Sequence, residues 1–153
     1  MTPDDVDLSS LRAHHFLCLT TFAGKGYSPE FVANMNRVFG AAQRGEIARL
    51  RATAEADPIC GACPHLQDRS AADGCTFGAS IAARDRRMLR AMGWRENQEV
   101  DFAAAIAIIL ERHRDLMREV CRGCDWATIC GEERFTLHPT TADGNPQGNV
   151  LAT

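Results

Sequence analysis

Apolar residues recur at helical spacing through most of the chain, and the clearest case follows a set of start signals. Ser28 is placed to cap a helix, Pro29 to occupy its first position, and Glu30 to put a carboxylate against the positive end of the helix dipole. Phe31, Met35, Val38 and Phe39 then fall on one face, and Gly45 closes the unit. An earlier helix is expected from Ser9 or Ser10 to about Phe22, ended by Gly24-Lys25-Gly26. A third is expected from about Ala79 to Met92, stopped by Gly93. The fourth and longest runs from about Glu99 to Val120, with Phe102, Ile106, Ile109, Leu110, His113 and Leu116 as its buried stripe. Between the second and third helices, Ala48, Leu50, Ala52, Ala54 and Ala56 alternate with Arg49, Arg51, Thr53 and Glu55. That period of two predicts a short strand, although alanine favours helices. Residues 57–78 read as a loop, with Pro58, Gly61, Pro64, Gly74 and Gly78.

The expected fold is therefore mainly α. It is one small domain of about four helices, with two cysteine-rich metal-binding loops and at most one short strand pair. The domain is expected over residues 9–138, after a flexible lead-in at 1–8. The stretch 139–153, rich in Pro, Gly, Asn and Thr, is expected to be disordered.

Bulk composition narrows the function. A chain of 153 residues with 45% hydrophobic and 24% charged side chains is in the ordinary globular range, with room for one modest core. A net charge of −3 argues against nucleic acid or an anionic membrane as partner. Every cation except Lys25 is an arginine. The longest apolar run, Phe102 to Leu110, is far short of the roughly 20 residues that span a bilayer. The opening carries Asp4, Asp5 and Asp7 rather than a basic stretch followed by an apolar one, so no signal peptide is expected. A cytoplasmic location follows as the expectation, and structural disulfides are rare there.

Against that background seven cysteines stand out. Cys60, Cys63 and Cys75 form one triplet, and Cys121, Cys124 and Cys130 form a second. Each begins with a CxxC pair, in which two intervening residues let the backbone curl so that both sulfurs face one metal. Gly61 and Gly123 lie inside these turns, where freedom from side-chain clash helps. Cys63-Pro64 matches the Cys-Pro that ends many ferredoxin cluster motifs. One CxxC is a weak signal; two, each with a third cysteine downstream, point strongly to metal. A metal-free dithiol redox protein is the alternative, but it calls for a βαβ pattern beside the pair, and neither pair has one.

Three thiolates per triplet fall short of the four ligands that zinc and the common clusters take. Cys18 is the seventh cysteine; it shares a helix face with His14, four residues earlier, and lies three from His15. Three arrangements stay open. Cys18 completes one site and a histidine the other; one iron keeps an open position for substrate; or one cluster draws on both triplets. Each residue also has a plainer role. Cys18 suits a core position. His14 and His15 suit one surface and one buried, hydrogen-bonded histidine. His65 suits an exposed loop, His113 a satisfied core position, and Trp126 a packing role near the second triplet. Arg84, Arg86, Arg87, Arg90 and Arg95, interrupted by Asp85, read as a solvated helix face or as a dock for an acidic redox partner.

The segments Leu11-Arg-Ala-His14-His15-Phe-Leu-Cys18-Leu and Phe22-Ala-Gly24-Lys25-Gly26-Tyr27-Ser28, followed by the two triplets, resemble the family called domain of unknown function 1284. Its members are short bacterial and archaeal proteins, some described as iron–sulfur-binding. The resemblance covers about residues 11–130. It implies iron–sulfur rather than zinc at Cys18, Cys60, Cys63, Cys75, Cys121, Cys124 and Cys130. A four-iron cluster is the favoured form, and the helix spacing from Cys18 places His14 or His15 close to it, as a ligand or as a hydrogen-bond donor to a sulfur. The resemblance implies no reaction. The expectation is an iron–sulfur protein that moves electrons or binds a small substrate at an open iron. A structural zinc-binding interaction module is the rival.

Overall fold

The computed structural model describes residues 8–22, 24, 28–55, 57–60, 78–121 and 135–137. Among these the chain is mainly helical, with five helices and a small mixed sheet. The order is β1 (Ser10–Arg12), α1 (Ala13–Thr20), α2 (Pro29–Gln43), β2 (Arg49–Thr53), α3 (Gly78–Met92), β3 (Gln98–Asp101), α4 (Phe102–Glu111) and α5 (His113–Val120).

The second helix forms where its signals place it. Ser28 Oγ accepts the Phe31 N–H at 3.1 Å, and Met35 and Val38 are buried. The alternating segment is the central strand of the sheet. β2 buries Leu50 and Ala52 and exposes Arg49 and Arg51, as its period of two requires. It pairs in parallel with β1, Arg12 opposite Thr53, and antiparallel with β3, Leu50 opposite Val100.

Two expectations are corrected here. The helix expected from Ser9 or Ser10 begins instead at Ala13, because Ser10–Arg12 is drawn into pairing with Arg51–Thr53. The single long helix expected from Glu99 to Val120 is three elements. Gln98–Asp101 pairs with β2. Asp101 then caps α4, its Oδ1 accepting the Ala104 N–H at 2.9 Å. Arg112 leaves helical geometry at φ −106° and ψ 16°, which divides α4 from α5. Its guanidinium donates to Ala91 O, at the end of α3, at 2.9 Å. Among the described residues the helices number five and the strands three, which keeps the expected mainly helical small domain. The third helix ends at Gly93, whose φ of +71° suits a glycine.

α1 is the hub of the core and packs against α3, α4 and α5. Its Phe16 is fully buried against Trp94 and Phe102, with ring centroids 5.2 and 6.0 Å away. At its far end Thr20 O accepts the Thr136 N–H at 2.8 Å, which brings buried Leu137 back onto the core. No helix among the described residues is long and apolar enough to cross a membrane.

Candidate metal centre

β1 and β2 run in parallel, so their carboxyl ends open on one side of the sheet, where loops can converge on a ligand. β1 passes into α1 without a linker; β2 passes through Ala54 into the turn Asp57-Pro58-Ile59-Cys60. Asn34 of α2 holds that turn, its Nδ2 donating to Pro58 O at 2.7 Å and Ile59 O at 3.3 Å.

The start of α1 has no capping side chain of its own and no acidic residue in its first turn. Two carboxylates from distant segments take that role. Asp57 Oδ2 accepts the Arg12 N–H at 2.6 Å, and Asp85 Oδ1, from α3, accepts the His14 N–H at 3.0 Å. The same two carboxylates orient the two histidines. His14 Nδ1 is 2.6 Å from Asp85 Oδ1, and His15 Nδ1 is 2.7 Å from Asp57 Oδ2. An ionised carboxylate only accepts, so each Nδ1–H donates, and in a neutral ring so held Nε2 carries the lone pair. The rings lie 4.4 Å apart, centroid to centroid, tilted by 50°. Carboxylate–imidazole pairs of this kind stand behind many metal-ligating histidines.

Arg12 ties the cluster together from a position only 2% exposed. Its Nη1 donates to Asp85 Oδ2 at 2.7 Å and to Ala54 O at 3.0 Å, and its Nε donates to Cys60 Sγ at 3.3 Å. The Cys60 N–H donates to Asp57 Oδ1 at 3.1 Å and Asp57 O at 3.0 Å. The ligand atoms of His15, Asp57 and Cys60 all lie within 4.8 Å of one another. These three form the candidate metal site.

The electrostatics are those of a dry, charge-balanced corner. Burial works against the Asp57 carboxylate, but His15 and the amides of Arg12 and Cys60 outweigh it and hold the carboxyl well below its usual range. Burial likewise opposes Asp85, and His14 with Arg12 holds it low. Burial dominates at His14 and favours the neutral ring, although Asp85 pulls the other way. Arg12 stays charged: burial opposes the charge, but Cys60 and Asp85 raise its pKa. Burial, and next Asp57, push the Cys60 thiol far up against the opposing pull of Arg12, so it is a neutral thiol unless a metal ion binds to it.

Of the cysteines singled out by spacing, Cys60 stands in this group. Cys18 is half-buried on α1 and packs against the hydrophobic core. Cys121 is buried directly after α5, its N–H donating to Met117 O at 3.0 Å. α1, which carries His14, His15 and Cys18, therefore meets the Cys60 turn at one end and lies against the helix that leads to Cys121. Cys63, Cys75, Cys124 and Cys130 lie outside the described residues, as do His65, Trp126 and the stretch 139–153. His113 is a buried core histidine, edge-on to Phe135 at 4.9 Å. In the arginine-rich stretch Arg86, Arg90 and Arg95 are exposed, but Arg84 is buried and Arg87 half-buried, so the face is solvated only in part.

Cysteine spacing does not reveal Arg12, Asp57 or Asp85. Asp85 did leave a trace, as the one acid inside an arginine run. Asp57 left a fainter one, as an acid three residues before Cys60.

No curated protein and no solved structure matches the chain. A family model described as "Protein of unknown function (DUF1284)" matches residues 26–130, which takes in both cysteine triplets, Asp57 and Asp85. With more than half of its length covered by that match, and with the cysteine pattern that suggested the kinship inside it, the chain belongs to the DUF1284 family.

Proposed function

We propose that the protein is an iron–sulfur protein and that Cys60 is one of the thiolates that hold its cluster, of which a four-iron form is favoured. The observation that carries this reading is the setting of the Cys60 sulfur. It is buried, it accepts from the Arg12 guanidinium at 3.3 Å, and it shares a 4.8 Å group with His15 and Asp57. This donor set fits such a group. A thiolate-ligated cluster is anionic, and a buried cation on the ligating sulfur offsets that charge; hydrogen bonds to cluster sulfurs also tune the potential. Cys63 and Cys75, with Cys121, Cys124 and Cys130, are the further thiolates the chain offers, and Cys18 or a histidine would fill a remaining position. The cluster, when bound, supplies one-electron chemistry or an open iron for a small substrate. The chain's own residues do the positioning. Arg12 directs Cys60, Asp57 fixes both the Cys60 backbone and the His15 tautomer, and Asn34 pins the turn. The exposed arginines on α3 and just beyond it, Arg86, Arg90 and Arg95, suit an acidic redox partner.

The mixed nitrogen, oxygen and sulfur donors of His15, Asp57 and Cys60 favour a second reading, a mononuclear zinc site that staples the fold. Anaerobic purification followed by iron, zinc and acid-labile sulfide analysis separates the two. Iron and sulfide in comparable amounts, with broad visible absorbance that Cys60→Ser reduces, is the expected result. A colourless protein holding stoichiometric zinc and no sulfide would replace the first reading with the second.

A further inference from the structure

α3 carries two arginines of opposite circumstance. Arg86 is exposed and pairs with Glu96 across solvent. Arg84 is only 7% exposed, yet its Nε is buried without a hydrogen-bond partner among the described residues. None of the ion pairs among those residues includes it. Arg12 shows how this fold treats a buried guanidinium it keeps for structure: a carboxylate, a carbonyl and a sulfur all accept from it. A buried cation left unpaired is costly, so its retention calls for an anion.

The position of Arg84 defines where that anion would sit. Its chain neighbour Asp85 is bonded to His14, and the Arg84 charge is near enough to His14 to disfavour protonation of that ring. One turn further along α3, Arg87 reaches the carboxyl end of α5, its Nη2 donating to Val120 O at 3.2 Å. The Arg87 Nε is likewise buried without a partner among the described residues. Residues three apart on a helix share a face. Arg84 and Arg87 therefore line one edge of α3, at the seam where it packs on both α1 and α5. Asp85 is fully engaged by Arg12 and His14 and leaves Arg84 without a carboxylate partner among the described residues.

The geometry points to Arg84, seconded by Arg87, as the binding site for an oxyanion of a small-molecule ligand, a carboxylate or a phosphate group. The planar fork of a guanidinium matches either group through two parallel hydrogen bonds, and desolvation makes such a pair selective over chloride. The site borders His14, so a ligand anchored here would extend towards the corner that holds Cys60 and His15. The inference rests on α3 and needs no metal.

The test is a thermal-melting titration of the full-length protein with inorganic phosphate and with succinate, against sodium chloride at matched ionic strength. Arg84→Met, which keeps the apolar stem, and Arg84→Lys, which keeps the charge, are run beside it. The wild type is expected to show a saturable rise in melting temperature with phosphate or succinate and none with chloride. The larger response names the ligand class. Arg84→Met should weaken the dependence at least tenfold, and Arg84→Lys should retain part of it. In zwitterionic buffer free of both anions, Arg84→Met should melt at or above the wild-type temperature, because it removes a buried charge that no described residue balances. The proposal is overturned if neither anion acts, or if the response persists in Arg84→Met. It is also overturned if that variant melts well below wild type in anion-free buffer, since Arg84 would then be paired within the chain. Metal content measured on the same samples keeps this result separate from the metal reading. Loss of metal in Arg84→Met would assign the residue to the metal centre and overturn the anion site.

Discussion

Asp85 accepts from the His14 amide, the His14 ring and the Arg12 guanidinium while fully buried. Replacing it by asparagine removes the negative charge that balances Arg12 in the interior and turns one of the two accepting oxygens into a donor. Breaking one side of a buried ion pair costs about 3–5 kcal/mol. Asp85→Asn should therefore lower unfolding stability by that order in a urea titration, and a loss below about 1 kcal/mol, within the ordinary range for a point change, would show the pair to be dispensable. At this scale the sequence was readable in part. His14, His15 and Cys60 are recognisable by type and spacing; His15 and Cys60 come together with Asp57 in a group that could hold a metal ion, and His14 lies beside the His15 ring. Their partners were not readable, because Asp57 and Asp85 reach Arg12 and His14 across 45 and 71 positions, a separation no local pattern reports.

Elements whose signals are local form as expected, and those that depend on a partner do not. α2 has its cap, its first-turn proline and its acidic residue within three consecutive positions. Ser28→Ala should cost about 1 kcal/mol, read as a shift in denaturant midpoint without a change in slope. β1 is three residues long and exists only because β2 offers a parallel edge. The apolar stripe from Phe102 onward was correct, but it gave no warning that Gln98–Asp101 pairs with β2. The local sign of that boundary was Asp101, an N-cap residue directly before the apolar run.

For the whole molecule, the buried titratable groups act together on acid stability. Asp57 and Asp85 have depressed values in the fold, so their contribution is present above the unfolded value of about 3.9 and is lost as pH falls through the folded values. His14 is also depressed. The unfolded imidazole takes up a proton near about pH 6.5 while the folded one does not, which already favours unfolding on mild acidification. Stability measured by denaturant midpoint should therefore be highest above about pH 7 and fall in two stages, first through about pH 6 and again below about pH 4. A flat profile between about pH 7 and 5 would show that His14 protonates as freely in the fold as outside it. The borrowed caps of α1 carry a consequence of another kind, for the order in which the chain assembles. An eight-residue helix without local capping has little stability alone. Its amides wait for Asp57 and then Asp85, so a growing chain must extend beyond Asp85 before α1 is secured. A segment made before its partners is fixed only after them, and a truncation that ends before α3 would leave the hub of the core without its Asp85 anchor.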